Sequence, residues 1–260
     1  MSTSPHGSAP AEVLRLPEAR TEADELAVEE PLEIRIGGQP IAVTMRTPGH
    51  DEELALGFLY SEGFHPRSAA PTTDLAANTI EIELEPGYDL ERVRRSFYTS
   101  SSCGVCGKGA IEAVSVESPP VQSNLCIPLG LVVSLPGRLL GAQAAFAATG
   151  GLHATGLFEP AGELLCLRED VGRHNAMDKV IGWAFLQGRL PFAGTVLCVS
   201  GRLSFELVQK AAVAGCPIVV AVGAPSTLAV ELARDRRITL CGFVRDGRAN
   251  VYSEPWRIAT

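Results

Sequence analysis

Alternating apolar and polar positions open the ordered part of the chain. Leu32-Glu33-Ile34-Arg35-Ile36 places every second side chain on one face, Gly37-Gly38 turns, and Ile41-Ala42-Val43-Thr44-Met45 returns, a pattern that predicts a β-hairpin. Thr47-Pro48-Gly49 ends it. Asp51, Glu52 and Glu53 then predict a helix start, since acidic groups in a first turn meet the positive end of the helix dipole. Leu54, Leu56, Phe58 and Leu59 supply its buried side and Gly63 stops it. Thr79-Ile80-Glu81-Ile82-Glu83-Leu84 alternates again as a strand. A Ser, Thr, Gly and Cys stretch over residues 96–109 breaks the periodicity before a short helix predicted over Ala110–Val114.

Beyond Pro119-Pro120 the period changes. Ala-rich Gly141–Thr149 predicts a helix, and Leu152–Phe158 and Leu164–Leu167 predict strands around a turn at Pro160–Gly162. Helices over Asn175–Gln187, Phe205–Ala214 and Thr227–Arg234 then alternate with apolar strands over Thr195–Ser200, Pro217–Val222 and Ile238–Val244, and Ala249–Tyr252 is a last strand. Short apolar strands alternating with helices predict a largely parallel sheet covered on both faces. Such sheets bind ligands beyond the carboxyl ends of their strands, and those ends carry Ser200-Gly201-Arg202, Gly223-Ala224-Pro225-Ser226 and Arg245-Asp246-Gly247-Arg248.

Composition narrows the function classes. The 260 residues are 46% hydrophobic and 20% charged, an ordinary mixture able to bury a core. Their apolar runs, such as Ile218–Val222, are far short of the ~20 residues of a spanning helix, so no membrane segment is expected. A net charge of −8 argues against a nucleic-acid polymer as partner, because such proteins release counterions with a basic surface. A single nucleotide needs only a few local arginines. Residues 1–27 are polar with no apolar core of a secretory signal and read as a disordered tail. Residues 28–120 then form a β-rich N-terminal part, and 121–260 an α/β domain. Seven cysteines are an odd number, and Cys126, Cys166, Cys198, Cys216 and Cys241 stand alone. Most of these sit in apolar runs where a free Cys behaves as a small hydrophobe, which points to a reduced, cytoplasmic protein.

Three stretches carry candidate chemistry. In Ser100-Ser101-Ser102-Cys103-Gly104-Val105-Cys106-Gly107-Lys108 the glycines leave both sulfurs sterically open. Lys108 and a following helix N-terminus favour the thiolate, the nucleophilic form. A thiolate of this kind can attack an incoming persulfide and hold its sulfur. Competing readings are a zinc site completed by His153 or His174, a thioredoxin-type redox pair, and a purely structural loop. Arg168-Glu169-Asp170-Val171-Gly172-Arg173-His174-Asn175-Ala176-Met177-Asp178-Lys179 crowds charge between a strand and a helix, as either a ligand site or a solvated first turn capped by Asn175. In Gly242–Ala249, Arg245 and Arg248 could grip phosphates and Phe243 could stack on a ring, against a plain hairpin turn as the alternative. No G-x-G-x-x-G or Walker lysine motif occurs.

Taken in order, five segments resemble the formate dehydrogenase accessory sulfurtransferase family (FdhD/NarQ). They are Thr47 to Leu59, Ser102-Cys103-Gly104-Val105-Cys106-Gly107, Asp170 to Lys179, Ser200-Gly201-Arg202 and Gly242-Phe243-Val244-Arg245. The resemblance implies a cytidine-deaminase-like three-layer α/β/α domain with a smaller β-rich N-terminal part, in a homodimer. It implies a sulfurtransferase that takes sulfur from a cysteine desulfurase as a persulfide. The sulfur then passes to the bis-molybdopterin guanine dinucleotide molybdenum cofactor for formate dehydrogenase. By motif position the persulfide cysteine is Cys103 with Cys106 as its partner, and the cofactor segment is Phe243, Val244, Arg245, Asp246, Gly247 and Arg248. No metal of its own is implied, and the zinc-deaminase H-x-E…P-C-x-x-C signature is missing. The alternative is a non-catalytic chaperone for the same cofactor, which would have no need of an exposed thiol pair.

Overall fold

A computed structural model describes residues 7–72, 78–88 and 116–260. Strands β1 (Ser8–Arg15) and β2 (Arg20–Ala27) pair antiparallel from Ser8↔Ala27 to Arg15↔Arg20. The reading of residues 1–27 as a disordered tail is therefore corrected over 8–27. An isolated two-stranded hairpin is marginal in water, and this one, poor in apolar residues, is held by packing on the helix at residues 144–149. Local composition could not reveal that contact.

Strands β3 (Glu30–Ile36) and β4 (Gln39–Arg46) form the predicted hairpin, joined by Gly37-Gly38. With β5 (Pro66–Pro71) and β6 (Thr79–Leu84) they make a sheet of order β4-β3-β6-β5. The period-2 residues Leu32, Ile34, Ile36, Ile80 and Ile82 share one buried face, onto which helix α1 (Asp51–Ser61) lays Leu54, Ala55 and Leu59.

The second half begins with β7 (Ile127–Pro128), α2 (Leu129–Ala142) and α3 (Ala144–Thr149). There follow β8 (His153–Phe158), β9 (Leu164–Asp170), α4 (Arg173–Leu186), β10 (Val196–Val199), α5 (Phe205–Val213), β11 (Ile218–Ala221), α6 (Thr227–Asp235), β12 (Thr239–Arg245) and β13 (Arg248–Ser253). A short β14 (Ile258–Ala259) pairs with β7. The main sheet runs β13-β12-β11-β10-β8-β9. Only β10-β11 and β11-β12 pair parallel, so the sheet is mixed rather than largely parallel. The reason lies in the connections: β10, β11 and β12 are linked through helices, whereas β8-β9 and β12-β13 are hairpins and must run antiparallel. Alternation along β10 sends Val196 and Cys198 toward Leu131, Val132, Leu135 and Leu139 of α2. Leu197 and Val199 face the other layer, with Met177, Leu207 and Ala229 of α4, α5 and α6. The result is three layers with a core on each side of the sheet.

The two parts of the molecule meet where α1 crosses α4. A Cβ on Gly57 would stand 1.8 Å from the Asp178 carbonyl oxygen, and one on Gly182 1.8 Å from that of Glu53. Two glycines thus let the helix backbones touch, closer than any side chain allows.

Candidate functional site

Beyond the carboxyl ends of the parallel strands the chain turns back three times, and backbone bonds lace the turns together. Gly223 N–H donates to Gly201 O and Phe243 N–H to Gly223 O, each at 3.1 Å. A Cβ on Gly223 would lie 3.0 Å from both Arg202 Cα and Gly201 O, so only glycine permits this approach. Ser204 and Ser226 then cap α5 and α6, accepting from Leu207 and Ala229. Over this edge, between the sheet and the second half of α2, lies a cavity of about 760 Å³. Leu139, Phe146 and Val244 give it apolar walls, and Gln143, His153, Ser200, Arg245 and Asp246 supply its polar groups. That size and lining suit a small organic ligand.

The predicted C-terminal segment divides around the cavity. Val244 is buried in its wall, and Arg245 and Asp246 lie on its rim. Phe243 is exposed with φ 52, in a bulge where β12 slips against β13 between Gly242 and Arg245. Arg248 lines a shallower hollow of about 420 Å³ with Phe243, Arg245, Asp246 and Asn250. Asp246 and Gly247, with φ 52 and 72, form the two-residue turn that a tight hairpin requires. The hairpin reading of this segment is therefore the one the backbone shows, with Val244, Arg245 and Asp246 placed against the cavity.

His153 sits beside Gly201 and lines the cavity. Burial, with the nearby charges of Arg173 and His174, holds it below the ordinary histidine pKa despite Asp170, favouring a neutral imidazole at the wall. His174 Nε2 is 2.9 Å from Glu206 Oε2 and 3.2 Å from Ser204 Oγ. Among the described residues no group of three or more His, Cys, Asp or Glu is placed to hold a metal ion.

Most of the charged stretch from Arg168 to Lys179 does something other than either sequence reading. Asp170 and Lys179 are buried and paired at 2.7 Å. Thr47 joins them, its N–H donating to Asp170 (3.1 Å) and its carbonyl accepting from Lys179 (2.8 Å). Asn175 donates to the Met45 carbonyl (2.7 Å) and to Asp170 (3.0 Å). Asp178 accepts from Lys210 (2.9 and 3.0 Å) and from Ser61 of α1 (2.8 Å). Arg168 grips Glu53 with two N–H groups. These residues form a buried polar clamp between the β-rich part and the α/β part. Gly172, not Asn175, stands at the helix N-cap.

Cys103 and Cys106 lie outside the described residues. Of the remaining cysteines, Cys166, Cys198, Cys216 and Cys241 are buried and Cys126 is exposed. Burial pushes the thiols of Cys166, Cys216 and Cys241 up to about 12 and raises that of Cys198 as well, so none of the four supplies a thiolate. Sequence reasoning gave Gln143 and Phe146 no place at the site and missed α2 from Leu129 to Leu140, and the single helix predicted over Gly141–Thr149 is broken at Gln143. The spacing of Leu131, Val132, Leu135 and Leu139 was the available signal, obscured by Pro136 inside the helix and by interspersed glycines.

Fold and site together define a class: a mixed α/β protein with a β-rich N-terminal part clamped to it and a cavity of about 760 Å³ beyond its strand ends. The sequence profile of the FdhD/NarQ family matches residues 27–259, and the chain belongs to that family. It is 48% identical over 259 residues to the sulfur carrier protein FdhD of Streptomyces avermitilis, covering 92% of this chain and 90% of that one. The sulfur carrier protein FdhD of Mycobacterium tuberculosis is likewise 48% identical over 257 residues, covering 92% and 93%. A crystal structure assigned to a formate dehydrogenase accessory protein of Desulfotalea psychrophila superposes with a TM-score of 0.75 at 27% identity, covering 97% and 98%.

Proposed function

We propose that this protein is a sulfur carrier serving formate dehydrogenase, and that it acts as a sulfurtransferase from a cysteine desulfurase to the bis-molybdopterin guanine dinucleotide molybdenum cofactor. The observation that carries the reading is the cavity at the strand ends, walled and rimmed by Val244, Arg245 and Asp246 of the segment expected to hold the cofactor. The cofactor is cargo. Its guanine nucleotide end lies in the cavity, with phosphates toward Arg245, whose guanidinium offers a fork of N–H donors. The α/β part is read as cytidine-deaminase-like, and the functional unit as a cytoplasmic homodimer.

The chemistry belongs to Cys103 and Cys106. The Cys103 thiolate attacks the terminal sulfur of the donor persulfide, the donor S–S bond breaks, and the desulfurase cysteine leaves as a thiolate. Cys106 then attacks Cys103 Sγ, forming a disulfide and releasing hydrosulfide toward the metal. A dithiol reductant resets the pair. The burial of four other cysteines supports this assignment, since it leaves few thiols able to act. Intact mass spectrometry after incubation with a desulfurase and cysteine tests it. Wild type gains one sulfur, Cys103→Ala gains none, and Cys106→Ala loads but does not release. Loading on Cys103→Ala but not on Cys106→Ala reverses the two roles. No loading in any form leaves a cofactor-binding chaperone, which the cavity alone would serve.

A further inference from the structure

Helix α3 has little of its own to hold it. Its six residues make fewer than two turns, too short for a helix to persist on propensity alone, and only Ala145 among them is buried. Gln143 at its N-cap gives the first turn no side-chain bond. Glu169, near the end of β9, supplies that bond from outside. One carboxylate oxygen accepts from Ala145 N–H (3.0 Å) and the other from Phe146 N–H (2.7 Å). A carboxylate across two first-turn N–H groups satisfies both and meets the positive end of the helix. The backbone of Glu169 is itself fixed, paired with Ala154 in the sheet and adjoining Asp170 of the buried clamp. The chain breaks on both sides of α3, at Gln143 (φ −81, ψ 82) and at left-handed Gly150 (φ 67), so α2 does not carry its direction through. Phe146, Gly150 and Gly151 line the cavity on this side.

We propose that Glu169 is a positioning residue for the cavity: it holds α3, and through α3 Phe146, as the wall against which the ligand packs. The inference rests on the reading of the cavity as a nucleotide site. Glu169 does not itself line the cavity and acts only through the helix it caps. A wall left loose must be ordered again when a ligand enters, and affinity falls by the fraction of molecules in which it is in place. The N-terminal hairpin packs on α3, and a Cβ on Gly151 would stand 3.3 Å from that of Ala27, so loosening the helix releases the hairpin as well.

Hydrogen exchange on the ligand-free full chain, beside calorimetry with GDP, tests the proposal. Glu169→Ala speeds exchange over residues 144–149 and over the hairpin at 8–27 by at least about tenfold, while β10 and β11 exchange as in wild type. The same substitution weakens GDP about tenfold. Glu169→Gln loses the same charge but keeps one acceptor oxygen, and it falls between the two. The difference between these variants therefore isolates the hold on α3 from any effect of charge on phosphate. In a Phe146→Ala background, where the wall is already lost, Glu169→Ala weakens GDP by less than about twofold more. Faster exchange with GDP affinity unchanged overturns the positioning role and leaves the nucleotide reading standing. Unchanged exchange over α3 overturns the hold itself. Losses of affinity that simply add in the double variant also overturn the role, since Glu169 would then act by another route. A wild type that binds no GDP overturns the nucleotide reading and this inference with it.

Discussion

Arg245 lines both hollows at the end of β12 and is exposed, so its charge is free to meet a ligand. A protein of net charge −8 gains no long-range attraction for phosphate, and affinity must come from short-range donors of this kind. Arg245→Ala is expected to weaken GDP binding by about 1.5–3 kcal/mol, the range for a hydrogen bond to a charged group, as read by calorimetry. Glu53 shows the opposite use of charge. Burial alone would raise its pKa, but the hydrogen bonds from Arg168 and His50 outweigh that and lower it to about 2. A carboxyl depressed in the folded state contributes stability above its unfolded value and loses it as pH falls through the folded one. Urea midpoints should therefore fall between about pH 4.5 and 2 through this group, and Glu53→Gln should flatten that part of the profile. Cys198 contributes packing only: Cys198→Val should cost on the order of 1 kcal/mol and leave sulfur loading per folded molecule intact.

At the scale of elements, the crossing of α1 on α4 is the contact least tolerant of change. Gly57→Ala would drive a methyl group into the Asp178 carbonyl, and rigid backbone rather than a flexible side chain must give way. A cost of about 3 kcal/mol or more in denaturant titrations is expected. Gly130→Ala, in a helix but with nothing near its Cβ, should instead stabilise by up to about 1 kcal/mol. Elements with strong periodicity were legible: β3, β4, β6 and the alternation from β8 to β13 follow their apolar spacing. Helix α2 was not, because Pro136 and its glycines weaken the helical signal while burial against the sheet outweighs propensity. The N-terminal hairpin was illegible for a related reason, since packing on α3 holds it rather than its own composition.

Across the whole molecule the buried clamp decides whether the two parts behave as one. Lys179 neutralises Asp170 where both are hidden from water, and it also ties the Thr47 carbonyl to the α/β part. Lys179→Met leaves a buried carboxylate without its cation and should cost about 3–5 kcal/mol in chemical denaturation. Tryptophan fluorescence and far-ultraviolet circular dichroism should report one coincident transition in the wild type, because the clamp couples the parts. Among the described residues no helix is long and apolar enough to cross a membrane.

The sequence by itself determined the periodic elements, the α/β character of the second half, the burial of the four lone cysteines in its apolar runs and the strand-end segment that meets the cavity. These follow from side-chain spacing and local turn chemistry, which act between neighbours along the chain. Only the tertiary structure decided that the sheet is mixed, that Gly57 and Gly182 are one contact, and that the charges from Arg168 to Lys179 close on Thr47, Glu53 and Ser61. Those partners lie more than a hundred residues apart, and no local pattern marks which buried charge meets which.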